Sequence, residues 1–165
     1  MKYLIKLSLF VFILTACGPL IPISSEPTPL PGIYEYQDFA YDIVWSQDDS
    51  MIALTTLTGL YVYNTDTYEQ LFSFNQGGGS TAVFGDKYIA AIGNDGMSVW
   101  SLNGYKILFH VDPEEPIQFQ SIAISPDDTV LVTGENKQLR FWSLPEGDLI
   151  ARVPFEGMAT DVKFR

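Results

Sequence analysis

The 165 residues contain a single cysteine. No disulfide can close within the chain, and no cysteine-based metal cluster can form. Histidine is as scarce, since His110 is the only one. A lone imidazole without a second ligand makes a poor metal site. Basic side chains are few: nine Lys and Arg stand against twenty Asp and Glu, a formal net charge of −11. Such a surface repels phosphate backbones, so nucleic acid is not an expected partner. It also repels anionic headgroups, so membrane attachment needs a hydrophobic or covalent anchor. A persuasive 3.6-residue apolar period is missing too, and almost no helix is expected in the mature domain. Gly77-Gly78-Gly79-Ser80 lacks the lysine and following helix of a phosphate-binding loop, and reads as a flexible link.

Apolar residues make up 47% of the chain and aromatics 14%, enough for one domain with a real core. The first 17 residues are a separate matter. Lys2 and Lys6 are followed by an apolar run from Leu7 to Leu14, then by small Thr15 and Ala16. That is the layout of a secretory signal, and the run is short for a membrane span. Leu14-Thr15-Ala16-Cys17 resembles the lipobox of bacterial lipoproteins. The resemblance implies cleavage before Cys17 and acylation of its thiol, often with a further chain on the new amino group. Two or three acyl chains anchor stably where one does not. The resemblance thus makes membrane lipid a partner through Cys17. It places the rest of the chain outside the cytoplasm, on the cell membrane or outer membrane of a bacterium. Loss of residues 1–16 removes both lysines and leaves seven basic against twenty acidic side chains, a net of −13.

Residues 18–32 hold five prolines: Pro19, Pro22, Pro27, Pro29 and Pro31. Proline-rich stretches favour extended polyproline II, which at about 3.1 Å per residue would reach roughly 45 Å. This segment reads as a tether rather than a ligand motif.

The remainder repeats itself. Residues 42–74 and 121–153 align at an offset of 79 without a gap. Ser46, Asp48 and Asp49 fall on Ser125, Asp127 and Asp128; Tyr63 falls on Trp142. A third copy lies between them. The apolar anchors Trp45, Phe84, Ile124 and Phe164 are 39, 40 and 40 residues apart. This period fits a four-stranded propeller blade. Each copy has short β-branched and aromatic runs parted by turn residues, such as Ser125-Pro126-Asp127-Asp128 and Asn94-Asp95-Gly96.

Ile122 to Asp128 and Leu139-Arg140-Phe141-Trp142-Ser143 resemble the first strand, turn and third strand of WD40 repeats. Val99-Trp100-Ser101 and Val62-Tyr63-Asn64 are the same element. The resemblance implies an all-β propeller of four-stranded antiparallel blades, probed by protein partners rather than by a cofactor. The Gly-His dipeptide is missing, so the family's Asp–His–Ser/Thr–Trp network cannot be built. Apolar packing and ladder hydrogen bonds are expected to replace it.

The expected organisation is therefore a signal peptide over 1–16 and a lipidated Cys17 with its tether over 17–32. A partial propeller follows over 33–165. Its blades fall at about 40–74, 80–111 and 119–153, and the start of a fourth at 157–165. Propellers usually close with four to eight blades. The arc is thus expected to be incomplete, the N-terminal part of a longer product, or else completed by self-association. Ile33 to Tyr36 has the look of an outer strand for a final blade.

No catalytic, cofactor or metal residues are expected. The pairs Asp48-Asp49 and Asp127-Asp128 recur at equivalent positions and read as solvent-facing turns; Glu114-Glu115 reads as a solvated loop. His110 reads as an edge residue. Trp45, Trp100 and Trp142 read as core. The function expected is a non-catalytic, membrane-anchored protein-binding scaffold. The alternative is a fragment of a larger propeller enzyme or sensor.

Overall fold

A computed structural model describes residues 39–74, 79–113 and 118–165. The signal segment, Cys17, the proline-rich tether, Ile33–Tyr36 and Glu114-Glu115 lie outside these residues.

Short β-branched and aromatic runs give strands throughout. β1 (Ala40–Trp45), β2 (Met51–Thr56), β3 (Leu60–Asn64) and β4 (Gln70–Phe74) form one antiparallel meander in that order. β5 (Gly79–Phe84), β6 (Tyr88–Gly93), β7 (Gly96–Ser101) and β8 (Lys106–Val111) form a second. The third consists of β9 (Phe119–Ile124), β10 (Val130–Ser143) and β11 (Leu149–Met158). β10 supplies two arms of its blade. It turns back at Lys137, whose φ is +67°, and the Leu144 N–H donates to the Thr129 carbonyl at 3.0 Å. Among the described residues these sheets are three blades of a propeller, an arc that does not close into a ring.

The core lies between the blades. Alternation along each strand sends one set of side chains back and the other forward. Ala53, Leu60 and Val62 of blade one meet Ala82, Phe84, Ile89 and Trp100 of blade two. Ala90, Ile92, Met97 and Val99 of blade two meet Ile122, Ile124, Leu131 and Trp142 of blade three. The same registers are used each time, because Phe84 pairs with Ile89 as Ile124 pairs with Leu131.

Trp45 departs from its expected place in the core. It pairs with Ile52 at the equivalent position, yet is 56% exposed. Its face would be covered by a preceding blade, and no described residue supplies one. Gly79 also differs from expectation. It opens β5 rather than belonging to a loose link. A Cβ there would lie 3.0 Å from the Ile92 carbonyl oxygen and 3.4 Å from Thr55 of the neighbouring blade. Residues 159–165 form no strand. A strand needs a ladder partner on its open side, and none exists among the described residues. The segment is held back by the Ala159 carbonyl, which accepts from Ser121 Oγ at 2.7 Å. Among the described residues no helix is long and apolar enough to cross a membrane.

Candidate functional site: the inner channel and the blade turns

β1, β5 and β9 are the inner strands of their sheets, and a cavity of about 590 Å³ opens among them. Asp42, Val44, Thr81, Val83, Asp161 and Lys163 are among its lining residues. Thr81 Oγ1 donates to the Asp42 carboxylate and ties the first two inner strands together. Lys163 Nζ meets Asp161 at 2.9 Å in an exposed pair. The wall is a mixture of small apolar and isolated polar groups. It can contact a peptide or a side chain, and its hydroxyl–carboxylate pair, Thr81 with Asp42, is a bond between two inner strands. No three His, Cys, Asp or Glu side chains converge as a metal site among the described residues.

The two repeated aspartate turns are built alike. Ser46 Oγ donates to Asp48 Oδ1 at 2.7 Å, and Ser125 Oγ to Asp127 Oδ1 at 2.6 Å. Met51 N–H and Val130 N–H each donate to the turn serine at 2.9 Å. Ser50 and Thr129 hydroxyls each donate to the first aspartate at 2.8 Å. These bonds favour the ionised carboxyl. Asp48 is held below the usual carboxylate range first by Ser46, then by Ser50. Asp127 is held there by Ser125, then by Thr129.

A depressed folded-state value means that ionisation favours folding above the unfolded pKa, and that this contribution is lost as pH falls through the folded one. The urea midpoint is therefore expected to be flat between about pH 5 and 7, and to drop below about pH 4. An Asp48→Asn/Asp127→Asn protein should show a shallower acid limb. Parallel limbs for the two proteins would refute the assignment.

The second aspartates diverge, and the expectation that both face solvent fails at Asp128. It is only 5% exposed. Its carboxylate crosses to blade two and accepts from the N–H groups of Asp86 at 3.2 Å and Lys87 at 2.8 Å. Gly85 makes the approach feasible, because a Cβ there would lie 2.1 Å from Asp128 Oδ1. Both aspartates adopt left-handed backbone, φ +59° at Asp49 and +56° at Asp128, which Asp tolerates. Sequence reasoning missed this clamp because its two halves are 42 residues apart and belong to different repeats.

Blade three also carries a buried side-chain polar network, in addition to the apolar packing and ladder hydrogen bonds expected of it. Trp142 Nε1 donates to Thr133 Oγ1 at 3.1 Å, and Thr133 Oγ1 donates to Glu135 Oε1 at 3.1 Å. Arg140 Nε donates to the same carboxylate, and Gln138 Nε2 to its other oxygen at 2.9 Å. Glu135 and Arg140 are 0% and 1% exposed. The Arg140 guanidinium lies 5.3 Å from the Phe119 ring centre and 5.2 Å from that of Trp142, a cation–π arrangement. Different residues thus link the blade tryptophan to a buried carboxylate without histidine. Blade two lacks this network because Ala91 stands where Thr133 does, nine residues before the tryptophan. Trp100 Nε1 accordingly finds no partner among the described residues.

His110 lies on β8 opposite Ser98. Ser98 Oγ and His110 Nδ1 are 2.7 Å apart, and His110 Nε2 is 3.4 Å from Asp112 Oδ1. These are the residue types of a hydrolytic triad. However, Ser98 is buried in the sheet and hydrogen-bonded across it, so the arrangement joins β7 to β8 and offers no accessible nucleophile.

No protein-family model matches the chain, and no curated protein matches it. Solved structures do. The structure of U3-55K matches with a TM-score of 0.68 at 12% identity, over 78% of this chain and 43% of that one. The β-propeller domain of Cps50 (Swd1) from Myceliophteria thermophila matches with a TM-score of 0.61 at 12% identity, over 73% and 42%. At this identity the likeness is one of fold. The chain spans less than half the length of either propeller.

Proposed function

We propose that the chain is a lipid-anchored scaffold of the bacterial cell envelope, non-catalytic, that binds a protein partner outside the cytoplasm. The observation that carries the anchor is Leu14-Thr15-Ala16-Cys17 directly after a charged and then apolar leader. Acylation at Cys17 meets the need for a covalent anchor on a chain whose charge opposes anionic lipid. The scaffold reading rests on the propeller fold, which presents turns and a channel to a docking chain, while Asp48, Asp127, Asp128 and His110 are engaged in structural bonds. The proline-rich segment over 18–32 would hold the blades clear of the lipid.

Labelled palmitate tests the anchor. The full chain is expected to take up label and sediment with membranes, whereas Cys17→Ser should lose both. Undiminished label in the variant overturns the assignment. A second reading is favoured by one observation, the coverage of only 43% and 42% of the two solved propellers. On it, these blades belong to a larger propeller enzyme or sensor, or close a ring by self-association. Sequence downstream of codon 165 distinguishes them: further 40-residue repeats support the larger scaffold, a His- or Asp-rich extension supports the enzyme, and a stop codon leaves self-association.

A further inference from the structure

We propose that Asn103 is a site of spontaneous covalent modification, where the chain closes an imide with Gly104, reopens as isoaspartate and so releases an aromatic contact between blades one and two. The reaction needs a backbone N–H without an acceptor directly after an asparagine. It also needs that next residue to carry no side chain in the line of attack. The turn between β7 and β8 meets both needs. Asn103 and Gly104 are exposed, Gly104 has φ +80°, and apart from its chain neighbours no atom lies within 4 Å of where its Cβ would stand. The same turn is better held in the other blades. In blade one, Asn64 Oδ1 accepts from the N–H groups of Asp66 at 2.9 Å and Thr67 at 2.8 Å, and the Asn64 carbonyl accepts from Tyr68 N–H at 2.9 Å. In blade three, the Ser143 carbonyl accepts from Gly147 N–H at 2.9 Å. Gly104 and Tyr105 stand at the positions of Thr67 and Tyr68, and neither N–H has an acceptor among the described residues. Ser101 Oγ replaces the Asn64 side chain; it accepts from Asn103 N–H at 3.1 Å and donates to the Asn103 carbonyl at 3.4 Å. The other described asparagines lack such a nucleophile. The N–H after Asn64 belongs to Thr65 and is bonded to the Ser50 carbonyl at 3.0 Å, while Asn94 and Asn136 are followed by the side chains of Asp95 and Lys137.

Water is the co-reactant, and with it the step balances. A base takes the Gly104 N–H proton, and the nitrogen attacks Asn103 Cγ. A C–N bond forms, the Cγ–Nδ2 bond breaks, and ammonia leaves. Water then opens the cyclic imide. Cleavage between Cγ and the ring nitrogen gives aspartate. Cleavage between the backbone carbonyl carbon and that nitrogen gives isoaspartate, whose main chain runs through Cβ and Cγ and is longer by a carbon. The added length falls just before Tyr105, whose ring stacks on Phe72 of blade one with centres 4.7 Å apart. Stacked rings are held by a specific offset geometry, so the lengthened turn draws Tyr105 off Phe72 and loosens the outer seam.

The test incubates the full chain in heavy-oxygen water at mildly acidic and mildly alkaline pH, both folded and unfolded in urea, and maps it by peptide mass spectrometry. In the folded chain Asn103 is expected to take up heavy oxygen several-fold faster than Asn64, Asn94 and Asn136, and faster at the alkaline pH. Its folded rate should come close to its rate in urea, and Asn103→Gln should lose the uptake at this position. A folded chain in which Asn103 converts no faster than Asn64, or many-fold slower than in urea, overturns the proposal. The aged chain is then compared with Asn103→Asp, which carries the same new charge on an ordinary backbone. Amide hydrogen exchange in β4 and β8 should quicken in the aged chain and not in the variant. Equal exchange in the two overturns the release of Tyr105, and the proposal with it.

Discussion

Replacing Glu135 by leucine is expected to lower the stability of the folded blades by about 3–5 kcal/mol. The substitution leaves the Arg140 guanidinium buried between Phe119 and Trp142 without its carboxylate. It also removes the acceptor of Thr133 and Gln138. A domain of this size holds only about 5–15 kcal/mol in total, so much of the reserve is consumed. Urea unfolding measures it, as a lower midpoint at unchanged slope. The companion protein Glu135→Leu/Arg140→Met removes both charges and keeps the volume. Buried pairs replaced by packed apolar residues are often neutral, so most of the loss should be recovered. A double variant as unstable as the single would show that the ion pair itself contributes net stability. A single variant within about 0.5 kcal/mol of the parent would refute the network.

Trp100→Ala is expected to cost a similar amount, about 3–5 kcal/mol, by a different cause. Trp100 is 2% exposed and packs against Ala53, Leu60 and Val62 of blade one. Phe74 meets it edge-on at 4.7 Å. Its removal empties the seam between two blades, where neither sheet can collapse without breaking its own ladder. Trp100→Phe should cost much less than the alanine change. It keeps most of the ring and abolishes an indole N–H that has no partner among the described residues. Equal losses for Phe and Ala would mean that the N–H is satisfied in solution. The two experiments separate two ways of holding a blade, since the seam around Trp100 is apolar and that around Trp142 is partly ionic.

The sequence by itself determined the all-β class and the repeat. These follow from local pattern: a 39–40-residue spacing of anchors, period-two strands and aspartate turns within a few residues of each other. Asp48 and Asp127 behave as their sequence context suggests, because their partners are two residues away. What the tertiary structure decided is how equivalent residues differ. Trp45, Phe84 and Ile124 share a repeat position, but among the described residues only the last two have a blade in front of them. Asp49 and Asp128 share a turn, but among the described residues only Asp128 has a glycine turn within reach. Trp100 and Trp142 share a strand position, but only Trp142 faces a threonine and a buried carboxylate. Burial, clamping and polar satisfaction depend on the neighbouring blade and on residues tens of positions away in the chain. A one-dimensional pattern names the equivalent positions; the neighbour across the seam sets what each of them does.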